Sequence, residues 1–154
     1  MAADCDVGAD LEVGPAQLVL TCLQPCGTVS GDRLARFGRH GQDWVRAVAV
    51  LPDGRIVTGG DDGRVLLWDP ADPHHPPAEL GRHEGWVFAV AALPGGRVAS
   101  GGQDGRALLC DPASGCIEFA RLGSWIIALA AMSPRPSETC LVAAHKGHAF
   151  RFCR

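Results

Sequence analysis

Lysine is nearly absent: Lys146 stands alone against thirteen arginines in 154 residues. Nowhere do the basic residues form a tract. With 14 basic and 17 acidic side chains the formal charge is −3, so the electrostatic footprint of a nucleic-acid binder is missing. No apolar run approaches the roughly 20 residues that span a bilayer. The segment Met1 to Asp10 carries three aspartates and no basic residue, whereas a secretory signal needs a positive start followed by an apolar stretch. These absences predict a cytoplasmic protein without nucleic-acid or membrane partners.

Catalytic signatures are missing too. There is no Gly-x-Ser-x-Gly nucleophile elbow. The glycine-rich segment Gly59 to Gly63 joins strand to strand, with no helix N-terminus behind it to cradle a phosphate. Asp72, His74 and His75 lie in a proline-rich loop and read as exposed. His145 and His148 are separated by the cationic Lys146. The seven cysteines are odd in number, and Cys22-x3-Cys26 and Cys110-x5-Cys116 do not match common zinc spacings. The expectation is free, mostly buried thiols, with no catalytic residue, metal or cofactor.

What the chain does contain is a repeat. Thr58-Gly59-Gly60-Asp61-Asp62-Gly63-Arg64-Val65-Leu66-Leu67-Trp68-Asp69-Pro70 recurs, slightly changed, 42 residues later as Ser100 to Pro112. A period in the low forties, with glycine-rich turns and a Trp-Asp ending, is that of a β-propeller blade. Three apolar runs headed by Trp44, Trp86 and Trp125 read as innermost strands buried on both faces. Pro and Gly follow each of the first two, as in Leu51-Pro52-Asp53-Gly54, and set a tight turn. Second strands are expected over 55–59, 97–101 and 140–144, and third strands over 64–68, 106–110 and 148–152. Outer strands are placed at 78–80 and 116–120.

The N-terminal part is weaker. Residues 17–22 read as a strand and 33–37 as another, a lone outer one. The domain reading is therefore a flexible tail over 1–14 and a partial propeller over 15–154, with repeats at about 38–80, 81–120 and 121–153.

Over about residues 38–153 the chain resembles the WD-repeat β-propellers. The resemblance implies an all-β fold of four-stranded antiparallel blades. It also implies an internal fastening in each: a His before the inner strand, a Ser or Thr on the second strand, an Asp in the next turn and a Trp ending the third. His40, Thr58, Asp62 and Trp68 fill these places in the first copy. His83, Ser100 and Asp104 do so in the second, where Cys110 replaces the Trp. The third departs, with Leu122, Ala143, Lys146 and Phe152 at the four places.

Propellers have about four to eight blades, and the reading gives an incomplete ring of about three. Closure by assembly is expected: a homodimer forming a six-blade ring by exchange of the outer strand 33–37, or completion on another polypeptide. The resemblance implies a protein-interaction scaffold that binds other proteins through its top-face loops. Candidate contact residues are Trp44, Arg46, Asp61, Glu84, Trp86, Phe88, Gln103, Trp125 and His145, although the three tryptophans also fit burial between blades. The rival reading is a propeller enzyme or small-molecule sensor with a site in the central channel.

Overall fold

The computed structural model describes residues 8–14, 17–23, 33–38, 40–72, 74–135 and 138–154. Fourteen strands occur among them, in four antiparallel sheets. The first sheet contains β1 (Gly8–Gly14), β2 (Gln17–Leu23) and β3 (Arg33–Gly38). The second runs in chain order through β4 (Val45–Val50), β5 (Ile56–Gly60), β6 (Arg64–Trp68) and β7 (Ala78–Arg82). The third repeats that plan with β8 (Val87–Ala92), β9 (Val98–Gly102), β10 (Arg106–Asp111) and β11 (Gly115–Arg121). The fourth has β12 (Ala128–Arg135), β13 (Glu138–His145) and β14 (His148–Cys153). The all-β reading, with antiparallel WD-repeat-like sheets, holds.

Two N-terminal expectations change. Gly8–Gly14 is not a tail but a strand, paired with β2 from Gly8↔Leu23 to Gly14↔Gln17. Its period-two alternation of Leu11 and Val13 with Asp10 and Glu12 is hidden among glycines and acids. Residues 1–7 lie outside the described residues. Arg33–Gly38 is not a lone strand either, because it pairs with β2 inside its own sheet. Strand exchange through it would first have to break that pairing. Four sheets therefore occur where about three were expected.

The sheets of 45–153 pack face to face. Val57, Val65 and Leu67 of the second meet Val87, Val98, Leu108 and Cys110 of the third in one buried cluster. Ala99, Ala107 and Phe119 of the third meet Ile126, Leu141 and Ala143 in another. Each fully buried Val, Leu or Ile adds about 1.5–3 kcal/mol of hydrophobic stabilisation. Two glycines set the spacing. Gly59 lies against Val87 and Gly101 against Ile126, and a Cβ on either would fall 2.8 or 3.0 Å from the neighbour's own Cβ.

The inner strands are not buried on both faces as expected. Val45 is buried, but Val50 at the far end of β4 is 53 % exposed. β4, β8 and β12 each lie at one side of their sheet, so strand pairing covers one flank only, and much of each run is alanine.

Turn geometry separates the last sheet from the two before it. Gly63 and Gly105 take positive φ in turns closed by Asp62 and Asp104, whose Oδ1 atoms accept the Arg64 and Arg106 N–H groups at 3.0 Å. In the fourth sheet His145 pairs directly with His148. The two residues between, Lys146 and Gly147, both have positive φ. That is the signature of the tight primed hairpin turn, and it leaves no aspartate to cap.

Candidate functional site

Each of the middle two sheets contains a buried polar chain. In the second, the Trp68 indole N–H donates to Thr58 Oγ1 at 2.8 Å. The same oxygen lies 2.5 Å from His40 Nε2, and His40 Nδ1 donates to Asp62 Oδ1 at 2.9 Å. Arg64 Nε completes the chain with an ion pair to Asp62 Oδ2 at 2.9 Å. In the third sheet His83 Nδ1 donates to Asp104 Oδ1 at 2.9 Å, and Nε2 lies 2.8 Å from Ser100 Oγ. Asp104 also accepts the Glu84 N–H at 3.0 Å. Burying such groups without partners would cost about 1–3 kcal/mol each.

The electrostatics follow from this enclosure. Burial pushes the Asp62 and Asp104 carboxyls up, but hydrogen bonds from the histidines and from the Arg64 and Arg106 N–H groups, with nearby positive charge, outweigh it. Both end below the ordinary carboxylate range. Burial lowers His83 against the opposing pull of Asp104, and burial wins. Neutral His83 then donates a hydrogen bond from its Nδ1–H to the Asp104 carboxylate and accepts one from the Ser100 hydroxyl at Nε2. These side chains are enclosed and bonded to one another, an arrangement that suits fastening rather than substrate contact.

Position by position, the fourth sheet abandons the set. Leu122 takes the histidine's place: its N–H bonds Gly105 O at 2.7 Å, as the His83 N–H bonds Gly63 O at 2.8 Å. Leu122, Ala143 and Phe152 join the apolar cluster instead. At the Trp place of the third sheet, Cys110 faces Cys116 across β10 and β11 in a disulfide. A second disulfide joins Cys140 to Cys153 across β13 and β14. The expectation of free thiols fails for these four, because strand register sets each pair directly opposite. Cys5 and Cys26 lie outside the described residues.

The surface residues converge differently from the enclosed ones. Trp44, Trp86 and Trp125 are 51 %, 39 % and 48 % exposed, so they are not buried between sheets. They lie at the entry of the inner strand in successive sheets, and aromatic contact links the last two. Phe88 meets Trp86 edge-on at 6.0 Å and Trp125 at 5.8 Å, ring centre to ring centre. The Arg46 guanidinium sits 4.8 Å from the Trp86 ring and 6.0 Å from that of Trp44. Asp61 holds it in place through paired hydrogen bonds of 2.6 and 2.9 Å. Gln103 Oε1 accepts the Trp86 N–H at 3.4 Å. The result is a continuous row, Trp44–Arg46–Trp86–Phe88–Trp125, across three sheets.

Two candidates stand off from that row. Glu84 is turned toward Arg106 at 4.0 Å, so Arg46, Asp61 and Glu84 do not form one acid–base cluster. His145 is at the hairpin of the fourth sheet, opposite His148. Among the described residues no helix is long and apolar enough to cross a membrane. The sequence reading missed one group, the convergence of Glu138 with Cys140 and Cys153. Its signal is that the two cysteines are equally spaced from the Lys146-Gly147 turn.

Compared with known families, residues 31–69 match the model of the WD domain, G-beta repeat. The match runs from β3 through β6, so it begins on the outer strand of one sheet and finishes on the third strand of the next. No curated protein matches the chain. Repeats of this kind in general mediate binding to other proteins and are typically not enzymes. Residues 31–69 therefore carry a WD repeat, and the antiparallel sheets are consistent with WD-repeat blades.

Proposed function

We propose that the chain is a protein-interaction scaffold whose contact surface is the row Trp44, Arg46, Trp86, Phe88 and Trp125. One observation carries this: three tryptophans from three sheets are exposed while an arginine and a phenylalanine fix their spacing. Rigid aromatic side chains and Arg dominate binding energy at protein interfaces, because they bury much area with little loss of side-chain freedom. The buried polar chains, His40, Thr58, Asp62 and Trp68 with His83, Ser100 and Asp104, act in this reading as fastenings that hold the platform rigid. The central-channel enzyme has less support, since Asp61 is engaged by Arg46 and Glu84 points elsewhere.

Affinity capture compared across four proteins tests the proposal: the natural chain, Trp86→Ala, Trp125→Ala and Ile117→Ala. Ile117 is more exposed than either tryptophan but lies on the outer strand β11. Loss of a contact hot spot costs about 2 kcal/mol or more, so the tryptophan variants should lose the captured protein roughly thirtyfold while Ile117→Ala retains it. Equal capture by all four removes the proposal. Self-association is the first partner identity to measure. A dimer by light scattering supports a second copy as partner, and a monomer at high concentration excludes it.

A further inference from the structure

The far face of the fourth sheet carries a chemical group that the scaffold role does not use. Met132 of β12, Cys140 of β13 and Cys153 of β14 stand in one cross-strand row. Glu138 precedes Cys140 by two residues on the same strand, so both side chains leave the same face. The two sulfurs and a Glu138 carboxylate oxygen lie within 4.8 Å of one another. Cys140 is buried, whereas Cys153 is exposed. The adjoining backbone is fixed: the Thr139 N–H donates to Arg154 O at 2.8 Å and the Arg154 N–H returns to Thr139 O at 2.9 Å.

From this geometry we infer that the chain, once the Cys140–Cys153 bond is reduced, binds a soft divalent cation of the zinc class through Cys140, Cys153 and Glu138. Thiolates favour zinc over magnesium or calcium, and the carboxylate supplies a third ligand of a kind zinc accepts. A tetrahedral ion with metal–sulfur bonds of about 2.3 Å holds its donors about 3.8 Å apart. Freed of their bond, the sulfurs reach that spacing by side-chain rotation on opposed strands. Three protein ligands leave the fourth position to water, on the side where Cys153 meets solvent. The oxidised pair has no thiolate to offer, so the same two residues cannot hold the bond and the ion together.

A phosphine takes the disulfide to two thiols, consuming one water and becoming phosphine oxide. Each thiol then gives up a proton as the metal binds, so one ion displaces two protons into the buffer.

The test uses the full chain reduced by a phosphine under argon and titrated with Cd²⁺, whose bond to thiolate sulfur absorbs in the ultraviolet. Expected are one equivalent bound, two protons released, and protection of Cys153 from alkylation as mapped by mass spectrometry. The Cys140→Ser/Cys153→Ser pair should lose the absorption and Glu138→Gln should weaken binding at least about tenfold, while Cys110→Ser/Cys116→Ser keeps the signal. Alkylation mapping needs no substitution, so a variant that fails to fold does not spoil the test. Unchanged alkylation of Cys153 with and without Cd²⁺ overturns the inference. So does an absorption that survives in the Cys140→Ser/Cys153→Ser protein.

Discussion

Gly101 of β9 lies so close to Ile126, just before β12, that a Cβ there would stand 2.5 Å from Ile126 Cγ2 and 3.0 Å from its Cβ. Gly59 stands in the same relation to Val87 one sheet earlier. In the fourth sheet the register position is Ala144: it faces Ala128 and Ala149, as Gly101 faces Ala89 and Ala107. The residue between the hydroxyl and the turn is thus glycine only where a following sheet is seen to press against it.

Gly101→Ala should therefore destabilise the chain by about 1–3 kcal/mol through overpacking. The reverse change, Ala144→Gly, should cost only the chain-entropy penalty, about 0.5–1 kcal/mol. Urea unfolding monitored by circular dichroism separates the two. Equal costs would show that the glycine–isoleucine contact does not set the spacing.

Trp68 and Cys110 hold equivalent places with different means. Trp68 is buried and donates to Thr58. Cys110 reaches Cys116, and the two sulfurs sit beneath Gly81 of the preceding sheet, where an added Cβ would lie 2.6 Å from the Cys116 sulfur. Trp68→Ala leaves a large cavity and removes the indole donor, for a loss of about 3–5 kcal/mol. Cys110→Ala, compared with the natural chain under reducing conditions, removes only a sulfur and should cost far less. Chemical denaturation of both variants in reducing buffer checks the difference.

Acid should weaken the protein in two stages. Burial depresses His83 when folded, so between pH 6.5 and that lower value the unfolded chain binds the extra proton first. Stability is complete above pH 6.5 and falls as pH drops through the folded value. Asp62 and Asp104 are also depressed, so their contribution is present above the ordinary carboxylate value of 3.8 and disappears below it. Both signs agree. Melting temperature should decline from neutral pH downward, steeply again below about pH 4, and His83→Gln should flatten the first decline. A melting temperature independent of pH between 7 and 5 would contradict the assignment of His83 as neutral and buried.

Much of this was legible in the residues. The recurrence of Thr58 to Pro70 at Ser100 marked the sheets, and His40 with Asp62 and His83 with Asp104 were identifiable by place. The disulfides are legible only from hairpin symmetry, which zinc-type cysteine spacing does not carry. Cys140 and Cys153 flank the Lys146-Gly147 turn at equal distance, and Cys110 and Cys116 flank Ala113 likewise. Strand β1 is hidden in the sequence, since glycine at 8 and 14 and acids at 10 and 12 mask its alternation. Exposure of the tryptophans could not be read at all. Whether a residue heading an inner strand is covered depends on the neighbouring sheet's side chains, here Arg46 and Phe88, and not on its own segment.

Arg46 gives the last prediction. Its ion pair with Asp61 leaves the arginine side chain 36 % exposed, and ion pairs at the surface contribute about 0–1 kcal/mol. Arg46→Ala should thus leave unfolding free energy within about 1 kcal/mol of the natural value. The same change removes the guanidinium 4.8 Å from the Trp86 ring, and with it one wall of that side chain's position. Acrylamide should then quench Trp86 faster in Arg46→Ala than in the natural chain, measured against a Trp86→Phe control that reports the other three tryptophans. Arg46→Lys should fall between, because a flexible ammonium lacks the planar fork that grips Asp61 and stacks on the ring at once. Identical quenching in all three proteins would mean that Trp86 is positioned by Phe88 alone.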